Sequence, residues 1–253
     1  LLSWLIADIV FRRSLPSRFG GGGVRITVRG AGLRALRPNL ADADPTLFRL
    51  AEEVVSPGHR IWDIGANVGF FTLAAANRAG PDGEVLAVEP DVDLVRLLLW
   101  SRRELDRARN APVDVLCAAI SATAGVARLV VAGRARASNA LLGFGHSQMG
   151  VSRETRSVAT LSLDDLLAAG PRPDVVKIDA EGAEAAIIRG AGRLLAEVRP
   201  VLAIEVTPGP VGEEVTMALT AAGYLLYDAE APPGERLPLA TAPWNCLAVP
   251  RPS

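Results

Sequence analysis

Only two cysteines, Cys117 and Cys246, occur among the 253 residues, which excludes a disulfide framework. Both lie in apolar, strand-like runs and read as buried thiols in a reducing compartment, so a cytoplasmic location is expected. Lysine is scarcer still: Lys177 stands alone, and the other 26 basic residues are arginine. A lone lysine in such a background is notable, because the two cations are not interchangeable at shaped sites. Net charge is −1, so no strongly basic footprint points to nucleic acid. No apolar run is long enough to span a bilayer. Leu1 to Phe11 is apolar apart from Ser3 and Asp8 and has neither a basic leader nor a small-residue cleavage site. It reads as a packed or homodimer-forming helix, with membrane-surface contact as the alternative. The chain starts at Leu1 rather than Met, and what precedes it stays open.

What is present begins with residues 61–69, Ile-Trp-Asp-Ile-Gly-Ala-Asn-Val-Gly. An apolar strand ends at Asp63 and turns through Gly65 and Gly69 into a helix-like run, Phe70 to Ala79. Glycine permits a tight turn and close approach of backbone to ligand, and the helix start offers unpaired N–H groups. A second strand, Glu84 to Val88, ends in Glu89, at the distance that suits a ribose diol. This is a nucleoside-cofactor pattern, but it departs from the dinucleotide fingerprint G-x-G-x-x-G, whose helix start carries a pyrophosphate. Asn67 stands at the middle glycine, and Asp63 would repel phosphate while attracting an ammonium. The pattern therefore favours S-adenosylmethionine over NAD. Asp63 and Gly65 are expected at the methionine end, Asn67 and Gly69 shape the turn, Glu89 holds ribose, and Ala118 and Ala119 lie near adenine.

Alternating strands and helices imply a doubly wound α/β sheet with helices on both faces. Strands are expected at 60–64, 84–88, 113–118, 174–179, 200–206, 223–227 and 244–249. Helices are expected at 70–79, 91–107, 163–169, 183–195 and 211–222. The irregular Pro/Gly-rich segment 228–243 cannot form a crossover helix, so the last strand should run antiparallel. The result is a Rossmann-like, seven-stranded, mostly parallel sheet. Residues 1–56 read as an N-terminal helix and hairpin extension, with Val24 to Val28 pairing with Gly32 to Leu36. Residues 57–253 form the cofactor-binding domain, interrupted at about 120–160 by an insertion of the kind that often forms a lid.

Lys177-Ile178-Asp179-Ala180-Glu181-Gly182-Ala183-Glu184 is the second constellation. Lys177 and Asp179 share one face of a strand, and charges inside an apolar strand must pair or serve a ligand. The sequence here resembles the FkbM-type methyltransferases, on three segments: Trp62 to Phe71, Val88-Glu89-Pro90, and Lys177 to Glu184. Leu161 to Leu166 and Trp244-Asn245-Cys246-Leu247 also match, and the likeness runs from about residue 24 to 250. Ala180 stands where that family commonly has valine. The resemblance implies S-adenosylmethionine-dependent O-methylation, commonly of sugars or secondary metabolites.

A hydroxyl acceptor must lose its proton as it attacks. Asp179 is the first candidate base. Lys177 would hold that carboxylate or, if desolvated, act as base itself; a structural ion pair is the plain alternative. His146, in the insertion, is another candidate base, whereas His59 reads as structural. Asp179, Glu181 and Glu205 could offer oxygen to a divalent cation, but they lack a diagnostic spacing, so no metal site is assigned. The expected partner is a small-molecule acceptor. An N- or C-methyltransferase, an NAD-dependent oxidoreductase and a non-catalytic scaffold with a vestigial cofactor site are the competing readings. The acceptor itself stays open.

Overall fold

Side chains alternate across a strand, and this alternation divides the core. In the computed structural model, which describes residues 9–20, 23–29, 37, 39–132, 139–143 and 152–252, Ile61, Val85, Ala87 and Val175 face one apolar cluster. Trp62, Ile64, Val88, Val176 and Ile178 face the other. These residues belong to strands β3 (Arg60–Ile64), β4 (Glu84–Val88) and β10 (Val175–Ile178). With β5 (Val113–Leu116), β11 (Val201–Glu205), β12 (Tyr224–Asp228) and β13 (Asn245–Pro250) they form a seven-stranded sheet ordered β12-β13-β11-β10-β3-β4-β5. Only β13 is antiparallel to its neighbours, β11 and β12, as the irregular 228–243 connection requires. The chain leaves β3 toward β4 and β5 and later returns to β10 on β3's other side. The reversal of order therefore falls between β3 and β10, where ligands of doubly wound sheets bind.

Helix α1 (Pro45–Val54) is capped by Asp44, whose side chain accepts the Leu47 N–H. Helix α2 (Phe70–Ala79) follows the Gly65–Gly69 turn and buries Phe71 to Ala76; its alanines let it lie close against the sheet. Helix α3 (Val92–Arg102) is capped by Asp91. It stops short of the expected 107 because the Asp106 side chain and carbonyl capture the Ala108 and Asn110 groups in a turn. Helix α4 (Leu163–Ala169) starts from a Ser162–Asp165 capping box, which satisfies two orphan donors reciprocally. The helix expected at 183–195 is instead α5 (Glu184–Arg189), followed by a separate turn of π-helix at Leu194–Val198. Gly190 separates them: a Cβ there would lie 2.6 Å from the Ser121 carbonyl. Helix α6 (Pro210–Ala221) carries proline at its first position, where no N–H is needed.

The insertion forms a second sheet. Strands β6 (Ala119–Ile120), β7 (Gly125–Ala132), β8 (Ala140–Leu141) and β9 (Ser152–Leu161) pair in the order β6-β9-β7-β8.

The N-terminal expectation needs correction. The strand at Arg25–Arg29 (β2) pairs antiparallel with β1 (Val10–Ser14); Gly32 to Leu36, the expected hairpin partner, fall outside the described residues. Residues 10–11, expected to close an N-terminal helix, are strand; Leu1 to Asp8 are not described. Phe19, Ile26 and Phe48 are fully buried in the same cluster as Ile61 and Leu73, so the described part of this segment shares the core of the sheet. Cys246 is buried as expected, but Cys117 is exposed, since it lies just beyond the end of β5. No helix among the described residues is long and apolar enough to cross a membrane.

Phe48 packs against Phe19 and Phe70 with ring centroids 5.6 and 5.8 Å apart. Phe48→Ala should cost about 3–5 kcal/mol, read as a lower denaturant midpoint with an unchanged slope; a loss below about 1 kcal/mol would show that the segment is not part of the cooperative core.

Candidate active site

Parallel register sets Lys177 beside Asp63 and Ile178 beside Ile64. The two charged side chains thus meet beneath the carboxyl ends of β3 and β10, on the α2 side. Asp63 is fully buried and Lys177 nearly so. The Lys177 Nζ lies 3.1 Å from Asp63 Oδ1 and 3.5 Å from Asp179 Oδ2, and it donates to the Gly65 carbonyl at 2.8 Å. Thr72, one turn into α2, donates its hydroxyl to Asp63 Oδ2 at 2.5 Å. Burial pulls the ammonium toward neutrality, but Asp63 and Asp179 outweigh it and hold Lys177 above the ordinary lysine value. Lys177 is therefore a fixed cation, which favours its expected role of holding Asp179 over that of a base. Asp63 lies deeper than expected. It is consumed by Thr72 and Lys177 beneath the turn and does not line the cleft, so it acts on the site through those partners rather than by meeting an ammonium.

Above this pair the backbone turns sharply. Gly65 has φ +74°, and a Cβ would sit 1.9 Å from the Asp179 carbonyl oxygen, so no other residue fits. Asn67 adopts φ +53° and its N–H donates to Glu89 Oε2 at 2.8 Å. Gly69, at φ +95°, caps α2 where a Cβ would meet Leu98 at 2.3 Å. It shapes the turn without lining the cleft. The Asp91 N–H donates to the other Glu89 oxygen at 2.8 Å. The carboxyl is thus aimed by two backbone groups, yet burial pushes it up to about 7.

These residues border a cleft lined by Gly65, Asn67, Glu89, Asp179 and Glu181, with Ala118, Ala119, Ile120, Leu129 and Leu141 as its apolar wall. An acidic end, a glycine cradle and a flat apolar wall suit a nucleoside. The wall comes partly from the second sheet, so the insertion covers the site. Sequence reasoning missed the network that anchors it. Asn139 lines the cleft and donates to Asp91 Oδ2 at 2.8 Å, while Arg156 donates to Asp91 Oδ1 at 2.8 Å and Asp93 Oδ2 at 3.0 Å. The acidic Glu89-Pro90-Asp91-Val92-Asp93 run was the available signal. His146, the other candidate base, lies outside the described residues.

A second cleft opens on the other side of Asp179. It is lined by Lys177, Asp179 and Glu205, by Asp44, Leu47 and Leu50 around α1, and by Glu230, Trp244 and Asn245. Asp179 belongs to both clefts and is about one-third exposed. Glu205 is raised to about 7 by burial and by the nearby Asp179 and Glu181. Among the described residues, no three Asp, Glu, His or Cys side chains are grouped as a metal site. Glu184, buried behind the turn, accepts the Gly182 N–H at 2.8 Å and so fixes the loop that carries Glu181.

The Methyltransferase FkbM domain family matches residues 63–226, which include both constellations. The chain belongs to this family. Its enzyme class is S-adenosylmethionine-dependent methyltransferase, and the residues of the first cleft fit that cofactor. Hexuronic acid methyltransferase AglP of Haloferax volcanii is 25% identical over 178 residues, 70% of this chain and 67% of that protein. The crystal structure of methyltransferase FkbM from Methylobacillus flagellatus KT superposes with a TM-score of 0.50 at 16% identity, covering 86% of this chain. This chain spans only 56% of that one. That likeness shows the Rossmann-like fold.

Glu89 and Glu205 are both raised from 4.5 to about 7. The folded state then binds more protons than the unfolded one between those values, so their contribution to stability is complete below pH 4.5 and is lost as pH rises through 7. Glu89→Gln should flatten the fall in stability over this window by up to about 1.4 kcal/mol per pH unit. Denaturant unfolding from pH 5 to 7.5 measures it, and an unaltered slope would contradict the burial of Glu89.

Proposed function

We propose that the chain methylates a hydroxyl of a small molecule, a sugar or secondary metabolite, using S-adenosylmethionine. The observation that supports this most directly is Asp179, the one carboxylate shared by the cofactor-like cleft and the second cleft among the described residues. Bound in the first cleft, S-adenosylmethionine supplies an electrophilic methyl group. Glu89 would hold its ribose, Asn67 and Gly65 would meet it with backbone, and Ala118, Ala119 and Ile120 would flank its base.

The remaining chemistry belongs to the protein's own side chains. Asp179 accepts the proton of the acceptor hydroxyl as that oxygen becomes the nucleophile. Lys177 fixes Asp179 in place, and Asp63 with Thr72 holds Lys177. Alignment of acceptor and methyl group across the junction of the clefts supplies the rest, since an in-line displacement depends mainly on positioning. The curated relative is named as a hexuronic acid methyltransferase, which supports carbohydrate as the acceptor class.

Asp179→Asn should lower kcat by about 10²- to 10⁴-fold while leaving S-adenosylmethionine affinity within about threefold. Calorimetry and single-turnover assays separate the two quantities. Unchanged turnover would remove Asp179 as the base. Lys177→Met should destabilise the fold by about 3–5 kcal/mol, because it strands Asp63 in the core; a smaller loss would mean that water reaches that carboxylate.

A further inference from the structure

The second cleft has a charge pattern that selects among acceptors. Four carboxylates line it, those of Asp44, Asp179, Glu205 and Glu230. Its lone lining cation among the described residues is Lys177, whose ammonium is already matched by Asp63 and Asp179 and by the Gly65 carbonyl. Trp244 stands at the cleft with about half its surface exposed. It is held beside Asn245, whose amide donates to Glu230 Oε1 at 2.8 Å. An exposed indole face attracts both the C–H surface of a sugar ring and an ammonium group. Carboxylates around it attract the same ammonium, accept sugar hydroxyls, and repel an acid.

From this we infer that the acceptor is a hydroxyl-bearing amino sugar, bound through its ammonium by Glu230 and Glu205 with its ring on Trp244, and that uronic acids are disfavoured. The inference rests on the second cleft being the acceptor site. It departs from the chemistry in the name of the hexuronic acid relative. The departure rests on Glu205 and Glu230, the carboxylates that line this cleft beside Trp244.

Three probes on one scaffold test it: the methyl glycosides of glucosamine, glucose and glucuronic acid, each titrated into the full chain with S-adenosylhomocysteine present and followed by saturation-transfer NMR at pH 7.5. Affinity should fall in the order glucosaminide, glucoside, glucuronide, with about tenfold or more between the first and last. Glu230→Gln should shrink that ratio by about threefold or more without altering S-adenosylhomocysteine binding, and Trp244→Ala should weaken the glucosaminide and the glucoside together. A glucuronide that binds as tightly as the glucosaminide overturns the inference, as does failure of all three to bind. The methyl-transfer reading is judged apart from this, by cofactor binding and by Asp179→Asn.

Discussion

A buried ion pair, Asp63 with Lys177, governs this molecule. Neither side chain can leave the sheet, because parallel register fixes their strands side by side. Neither can be desolvated alone, because an unpaired charge at that depth costs several kcal/mol. The pair also does what an apolar replacement could not. It presents one further ammonium contact upward, to Asp179, and another to the Gly65 carbonyl. The core's need for charge compensation and the site's need for a fixed carboxylate are thus met by one lysine. Arginine would not substitute, since its broad planar fork does not fit a single point between two carboxylates and a carbonyl. This gives a physical reason for one lysine in a chain otherwise furnished with arginine.

Around this pair the two glycine turns interlock. Gly65 must lie within contact of the Asp179 backbone, so the β3 turn and the β10 turn set each other's position. The Gly182 N–H bonds to Glu184, and Asn67 bonds to Glu89. The turns after β3 and β4 are therefore tied through the buried Glu89, and those after β10 and β11 through the buried Glu184, which also accepts the Thr207 N–H at 3.4 Å. The raised values of Glu89 and Glu205 follow from the same construction: acids are placed where protein, not water, surrounds them.

Much of this was legible in the chain. The strand-turn-helix at 61–79 and the alternation that follows it are local signals, and β3, α2, β4 and α4 fall where periodicity puts them. The reversed last strand followed from a connection too irregular to cross over. What periodicity cannot see is which side of a turn a charged side chain finally occupies. Asp63 and Glu89 both end strands beside glycine or proline, yet one is sealed under the turn by Thr72 and the other reaches the cleft. Thr72 lies nine residues away on a helix, and its hydroxyl in an apolar run was the only hint. The strand at Val10–Ser14 was missed for a related reason: its first residues read as the end of an apolar helix, and only pairing with the distant Arg25–Arg29 makes them strand.

The site also divides by origin. The cofactor-like cleft draws its polar end from β3, β4 and β10 and its apolar wall from the second sheet, so it is built almost wholly within residues 63–226. The second cleft borrows its outer wall from α1 and its neighbour Asp44, from Glu230 and from the start of β13. Arg49 and Arg236 lash these pieces together, reaching the Ala229 carbonyl at 2.8 and 2.9 Å, and Arg236 pairs with Glu53 of α1. Residues 229–230 cannot shift without disturbing α1, which itself is locked into the core by Phe48. The two clefts therefore draw on separate parts of the chain that meet at Asp179, so the carboxylate held by the buried ion pair is also the point at which the outer wall joins the sheet.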